Sequence, residues 1–298
     1  ANIYGVAFNK SNANGNRLEK AIGKVANPST NTEKGINDFD NIYPWSDIVR
    51  CNGYYDNDGT FIVTAYDGEP GFALDGSNGN VWVEIPKFYV KDEITNDSEC
   101  MWISDAKLED FRTPSKFIRK DNIEVDKVYI AAYNVSTNGL SISNATIFFG
   151  DSGTLLEYCE SCGDNYTGFG IKDLELIRYL FTIEYATRNS RSIMLGNTAQ
   201  LWNTTGLSDD ILGPSGSSDN TTGYFPCRYR YIENPWGNLW IPLSDIIVMN
   251  KTSLFYNNKK LNYEVSNTSG YVSKLGYDSN YPEARLPMSS DGSSYDYY

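Results

Sequence analysis

Asp173-Leu-Glu-Leu-Ile-Arg-Tyr-Leu-Phe-Thr-Ile-Glu-Tyr-Ala-Thr-Arg-Asn189 is the one stretch of this 298-residue chain with sustained helical patterning. Leu174, Ile177, Phe181 and Tyr185 fall on one stripe, and Leu176, Leu180 and Ile183 add apolar residues on other faces. This spacing predicts a helix over Leu174 to Arg188. Asp173 is its expected N-cap, Glu175 suits the first turn, and Arg188 and Asn189 suit the end. A helix this apolar belongs against a sheet, with most of its surface buried.

Around it the chain reads as short strands and turns. Val81, Val83 and Ile85 alternate along Val81-Trp-Val-Glu-Ile85, and Pro86 closes that run. Phe88 to Val90, Val128 to Tyr133, Ile142 to Phe149 and Ile246 to Met249 are further strand candidates. Phe61 to Tyr66 is β-branched and aromatic, entered by the turn Asp56-Asn-Asp-Gly59. That turn lacks the later ligands and closing Glu of a calcium loop, so it reads as a hairpin. Asn257 to Lys260, between Leu254-Phe-Tyr256 and Leu261 to Val265, signals another hairpin. Strands with one long buried helix give an α+β fold with mixed or antiparallel short strands. Residues 1–40 differ: a strand candidate, Ile3 to Phe8, precedes a polar stretch and the linker-like Asn27 to Thr32. They are expected to form an attachment or oligomerisation segment, with the main domain at 41–298.

Composition narrows the chemistry. There is no histidine, which removes the commonest general base, imidazole metal ligation and every Ser-His or Cys-His arrangement. The net charge of −13 disfavours nucleic acid and anionic membrane surfaces as partners. Cys51, Cys100, Cys159, Cys162 and Cys227 are odd in number and mostly widely spaced, so no disulfide framework is legible. Cys159-Glu-Ser-Cys162 has no second pair to complete a zinc site. Ser208-Asp-Asp210 offers only two adjacent carboxylates and reads as a solvated loop. Neither a metal nor a cofactor is expected.

Four segments, in order, resemble one family. Val81 to Lys91 (V-W-V-E-I-P-K-F-Y-V-K) is similar to the V-E-I-P-K-F-Y-x-K segment of many phage tail proteins. Phe111 to Tyr133 resembles their next block, with Thr113-Pro-Ser-Lys-Phe117 where H-P-A-F is usual. Glu184-Tyr-Ala-Thr-Arg188 resembles the E-Y-A-A-R helix of the formylglycine-generating, sulfatase-modifying group, and Gly237-Asn-Leu-Trp240 its G-N-V-W. The lead-in Asp40 to Ile48 also looks like the phage branch. The resemblance spans about residues 39–298 and implies a C-type-lectin-like fold. The enzyme branch carries an active-site cysteine pair near its carboxyl end, whereas the last cysteine here, Cys227, precedes the G-N-L-W segment. Phage relatives usually continue into a G-G-S-W-type closing segment, and this chain stops at Tyr298 without one: either the sequence is incomplete or the fold closes differently.

The resemblance implies structural roles for Gly237, Asn238 and Trp240. Glu184 and Arg188, at i and i+4, are expected to pair at the helix surface or in the interior, and Trp45, Trp236 and Trp240 to be core aromatics. Tyr271, Tyr277, Tyr281, Tyr295, Tyr297 and Tyr298 lie among Ser, Gly, Asn and Asp without strand alternation, a composition suited to binding loops. A Tyr-rich contact between fibre subunits is the other reading. The expected function is that of a non-catalytic virion protein, a tail-fibre or receptor-binding component that recognises a host surface glycan or protein. It would sit among other virion subunits as a homo-oligomer, a trimer favoured, without membrane insertion. A decoration or head-fibre protein is the alternative, and a formylglycine-generating-like enzyme or a glycan hydrolase a third.

Overall fold

The computed structural model describes residues 1–150, 152–197, 203–218, 225–239, 241, 243–249, 253–256, 272–273, 280 and 282–283. In chain order the first strands are β1 (Ile3–Asn9), β2 (Asn16–Glu19), β3 (Val49–Tyr55), β4 (Phe61–Tyr66), β5 (Val81–Pro86), β6 (Tyr89–Ile94), β7 (Ser98–Ser104) and β8 (Lys127–Ala131). Helices α1 (Ser152–Cys162), α2 (Ile171–Tyr185) and α3 (Ser190–Ile193) follow. The remaining strands are β9 (Gly216–Ser217), β10 (Cys227–Tyr229), β11 (Ile232–Glu233), β12 (Ile246–Met249), β13 (Ser253–Tyr256) and β14 (Val272–Ser273).

Two four-stranded sheets carry the fold, ordered β2-β1-β7-β6 and β4-β3-β5-β8, with all their pairings antiparallel. Two three-stranded sheets, β11-β10-β9 and β12-β13-β14, complete the described strands. The chain is thus strand-rich and mixed, as an α+β reading requires. Val81, Val83 and Ile85 of β5 are buried in the same core as Val6 and Phe8 of β1, Ile103 of β7 and Leu176, Leu180 and Ile183 of α2. The period-2 pattern of β5 and the apolar faces of α2 therefore meet in one core. The Asp56 to Gly59 turn joins β3 and β4 as a hairpin. Asp56 Oδ1 accepts from the amides of Asp58 and Thr60, both at 2.9 Å, and Gly59 takes φ +78.

Several expectations are corrected. The helix is not alone, since the 11-residue α1 precedes it. It also begins and ends earlier than the periodicity suggests. Gly170 is the N-cap, and Asp173 sits three residues in, where its Oδ2 accepts from the Gly170 amide at 2.9 Å. Asp245 Oδ1 accepts from the Ile171 amide at 2.8 Å, and a Cβ on Gly170 would stand 2.7 Å from the Asp245 carboxylate. At the other end Ala186 turns left-handed at φ 51, and the 13–15 loop pairs with residues 186–188. That pairing takes Thr187 and Arg188 out of the helix. Ile142 to Phe149 forms isolated bridges, at Thr146 and Ile147, instead of a strand.

Residues 1–40 are not set apart. β1 lies between β2 and β7, and Tyr4, Val6, Phe8, Ala21 and Phe39 all belong to the central core. A boundary at residue 40 cuts through that core. Of the hairpin expected at 254–265, residues 253–256 pair with β12 and β14, and 257–265 lie outside the described residues.

Candidate functional site

Glu184, at the end of α2, is fully buried and is the centre of a polar network. Its Oε1 accepts from Arg230 Nη2 at 2.5 Å and Asn37 Nδ2 at 2.6 Å. Its Oε2 accepts from the Tyr229 hydroxyl at 2.7 Å and Arg230 Nε at 3.2 Å. Arg230 Nη1 reaches Asp40 Oδ1 at 2.8 Å, and Arg17 donates to the Glu184 carbonyl. Burial works against the charge on Arg230, but Glu184, with Tyr229 and Asp40, holds its pKa above the ordinary value. A carboxylate gripped by both arms of a buried guanidinium and by two further donors has all its lone pairs engaged. It ties three distant segments together and has no opening to act as an acid.

The pairing expected between Glu184 and Arg188 does not form. Arg188 donates from Nη2 to Glu99 Oε2 at 3.0 Å and lies over the Phe8 ring, 4.4 Å from its centroid. The cause is the early helix end, which removes the i,i+4 geometry. The partners of Glu184 are Arg230, Tyr229 and Asn37, with Asp40 on the far side of Arg230, and the sequence pattern points to none of these pairings. The signal for Arg230 was there: Cys227-Arg-Tyr-Arg-Tyr231 alternates two cations with aromatics, and Tyr229 and Arg230 are buried.

Gly237 and Asn238 are structural. They take φ 74 and 58, a conformation that glycine and asparagine tolerate. A Cβ on Gly237 would stand 2.9 Å from the Asn197 carbonyl oxygen, and the Asn238 amide donates to that same oxygen at 2.7 Å. Trp236 packs edge-on to Phe181 at 5.1 Å and donates from Nε1 to the Met194 carbonyl at 2.8 Å. Trp45 is buried in the core. Trp240 lies outside the described residues, as do Tyr271, Tyr277, Tyr281, Tyr295, Tyr297 and Tyr298.

The loop that begins near Gly206 is held down at Ser208, which is buried, while Asp209 is half-buried and Asp210 exposed. Glu233 accepts from the amides of Gly206 (2.9 Å) and Ser208 (3.0 Å) and from the Ser208 hydroxyl (2.6 Å). Asp209 accepts from the Tyr133 hydroxyl at 2.5 Å and from the Ser143 hydroxyl. Arg228 bonds the carbonyls of Ile211 (2.7 Å) and Gly213 (2.6 Å). Burial pushes the Glu233 carboxyl up to about 7, against the lowering effect of the Ser208 and Gly206 donors. A carboxyl raised on folding favours the folded state most below its unfolded value and loses that contribution as pH rises through the folded one. The structure should therefore become more stable as pH falls from about 7 toward 4.5, the ordinary glutamate value. Glu233→Gln should flatten that part of the profile in urea melts at stepped pH. An unchanged slope in the variant would assign the titration to another group.

Burial works against thiolate formation at Cys51, Cys100, Cys159 and Cys227. All five cysteines are free thiols, and burial pushes Cys51 and Cys227 up to about 12 and Cys159 to about 11, where Cys162 and Glu160 add to the rise. Among the described residues no group of three His, Cys, Asp or Glu side chains could hold a metal ion. No helix among them is long and apolar enough to cross a membrane. Comparison with family models, with curated proteins and with solved structures gives no match to this chain.

Proposed function

We propose that the chain is a non-catalytic virion protein of the phage tail-fibre or receptor-binding kind, built on a C-type-lectin-like domain. The observation that carries this reading is the convergence of the resembling segments on one helix and its core. Trp45, from the lead-in, donates its indole N–H to the Leu180 carbonyl of α2 at 3.1 Å. Val83, Ile85 and Phe88 of the V-W-V-E-I-P-K-F segment are buried there, and Phe88 meets Phe117 of the next block at 5.6 Å. Glu184 supplies the network above, and Trp236, beside the G-N turn, covers Phe181. Segments that are far apart in sequence and individually short thus share one structural purpose, as expected of a common scaffold.

The chemistry left on that scaffold suits binding better than turnover. Its best-placed carboxylate is consumed in a structural clamp, and burial disfavours the thiolates of Cys51, Cys159 and Cys227. The partner would be a host surface glycan or protein, met by the tyrosine-rich 271–298 stretch, with the chain assembled as a homo-oligomer among other virion subunits. A decoration or head-fibre role uses the same tyrosines against neighbouring subunits.

A side-chain-resolution structure of the intact particle tests the reading. Tyr271, Tyr277 and Tyr281 facing solvent at a distal tip support receptor binding. The same residues covered by neighbouring subunits favour the decoration role. Absence of the chain from purified particles overturns both.

A further inference from the structure

Cys159 and Cys162 lie on the last turn of α1, and Cys162 is its final residue. Cys162 is exposed, Cys159 is half-buried, and both are free thiols. The other three cysteines sit on separate strands. Positions i and i+3 of a helix are surface neighbours. Helix radius and rise put their Cα atoms about 5 Å apart, inside the roughly 4.4–6.8 Å span of disulfides. Their Cβ atoms, about 5–6 Å apart in a regular helix, must close to about 3.5–4.5 Å for an S–S bond. The turn therefore has to give by about 1 Å. It is placed to do so: Gly163 follows at once with φ 129, and its amide donates to the Glu160 carbonyl at 3.1 Å in a tightened turn. The two thiols are close enough for Cys162 to add to the rise that burial causes at Cys159. The residues just beyond the pair hold the β3–β4 hairpin. Asn165 Nδ2 donates to the Asp56 carbonyl at 3.3 Å, and the Tyr55 amide donates to the Tyr166 hydroxyl at 3.0 Å. The Tyr166 ring lies 5.3 Å from that of Tyr55 and 6.0 Å from that of Trp82.

We propose that Cys159 and Cys162 form a reversible dithiol–disulfide site whose co-substrate is a small aliphatic disulfide. The exposed Cys162, as thiolate, attacks one sulfur of that disulfide, forms a mixed disulfide and expels one small thiolate. Cys159, as thiolate, then attacks the Cys162 sulfur, closes the Cys159–Cys162 bond and expels the second small thiolate. The protein pair gives up two electrons, and its two protons end on the two small thiols. Burial of Cys159 slows the second step, and its position one turn away offsets that by proximity. A bond drawn across a helical turn is strained, and strained or exposed disulfides are the readily reduced ones. The site is thus a dithiol in a reducing compartment and a disulfide in an oxidising one. Closing it displaces Gly163 and relaxes the hold of Asn165 and Tyr166 on the hairpin. None of this depends on what the chain binds.

The test takes the folded full chain, reduced with a phosphine, and exposes it to 2-hydroxyethyl disulfide. Acid quenching, maleimide blocking after unfolding, and tryptic mass spectrometry follow. Trypsin releases residues 128–172 as one peptide that holds these two cysteines and no others. That peptide should become lighter by two hydrogens and take no maleimide, and mercaptoethanol should restore both thiols. Cys159→Ser should stop at a mixed disulfide on Cys162. Cys162→Ser should slow modification of the half-buried Cys159 by about tenfold or more. Hydrogen exchange over residues 54–60 should run severalfold faster in the oxidised chain than in the reduced one. A peptide that keeps both thiols, a mixed disulfide that persists on Cys162 of the unmodified chain, or a bond from Cys162 to another copy overturns the site. Closure with unchanged exchange at 54–60 overturns its coupling to the hairpin.

Discussion

Arg230→Met should cost about 3–5 kcal/mol, the loss typical when one member of a buried ion pair is removed. The substitution strips Glu184 of its bidentate partner and leaves a carboxylate with no solvent access, held only by Tyr229 and Asn37. Asp40 loses its 2.8 Å partner as well. Urea melts followed by tryptophan fluorescence should show a lower midpoint. Combining it with Glu184→Leu should give a double variant more stable than the sum of the two losses, with a coupling of about 0.5–3 kcal/mol. Additive losses would mean that the two groups do not act as a pair, and a loss under about 1 kcal/mol for Arg230→Met would mean that water reaches the cluster.

Trp45→Ala should be comparably severe, about 3–5 kcal/mol, through the cavity left by a fully buried indole. Three terms add at this position. The indole meets Phe39 edge-on at 4.8 Å and Tyr4 at 5.8 Å, and its N–H satisfies the Leu180 carbonyl. Trp45→Phe keeps an aromatic ring but removes the indole's bond to that helical carbonyl and should lose less, about 1–3 kcal/mol. Thermal melts by near-ultraviolet circular dichroism should rank native above Phe above Ala. Equal losses for both variants would show that the hydrogen bond, not the packing, dominates.

The elements that could be read from sequence are those whose side chains repeat at a fixed period. Val81, Val83 and Ile85 alternate because one face of β5 meets the core, and Leu176, Leu180 and Ile183 recur because α2 packs on β1 and β7. Burial of charge follows no such period. Glu84 lies on the other face of β5 and looks solvent-bound in sequence, yet it is buried beneath Tyr66, Tyr129 and Lys127, which donate to it at 2.8, 2.8 and 2.6 Å. The turn between β10 and β11 was hidden for another reason. Arg230 and Tyr231 both take left-handed backbone, at φ 44 and 67, where Asn-Gly is the usual signal. The ion pair of Arg230 with Glu184 holds a conformation that local propensity disfavours. Likewise, polarity marked the first 40 residues as a separate segment, because only the long-range pairing of β1 with β7 makes them part of the core.

That pairing also sets the order in which the chain can fold. β1 precedes its neighbour β7 by about ninety residues. Arg230, which fixes Asp40, is 190 residues beyond its partner. Tyr4, Val6 and Phe8 have only β2 beside their strand until β7 is made. Contacts this distant in sequence slow folding, since each closes a long loop before it yields any gain. The open edge of β1 is consequently the place where premature pairing with another chain threatens, and where a holding chaperone would act.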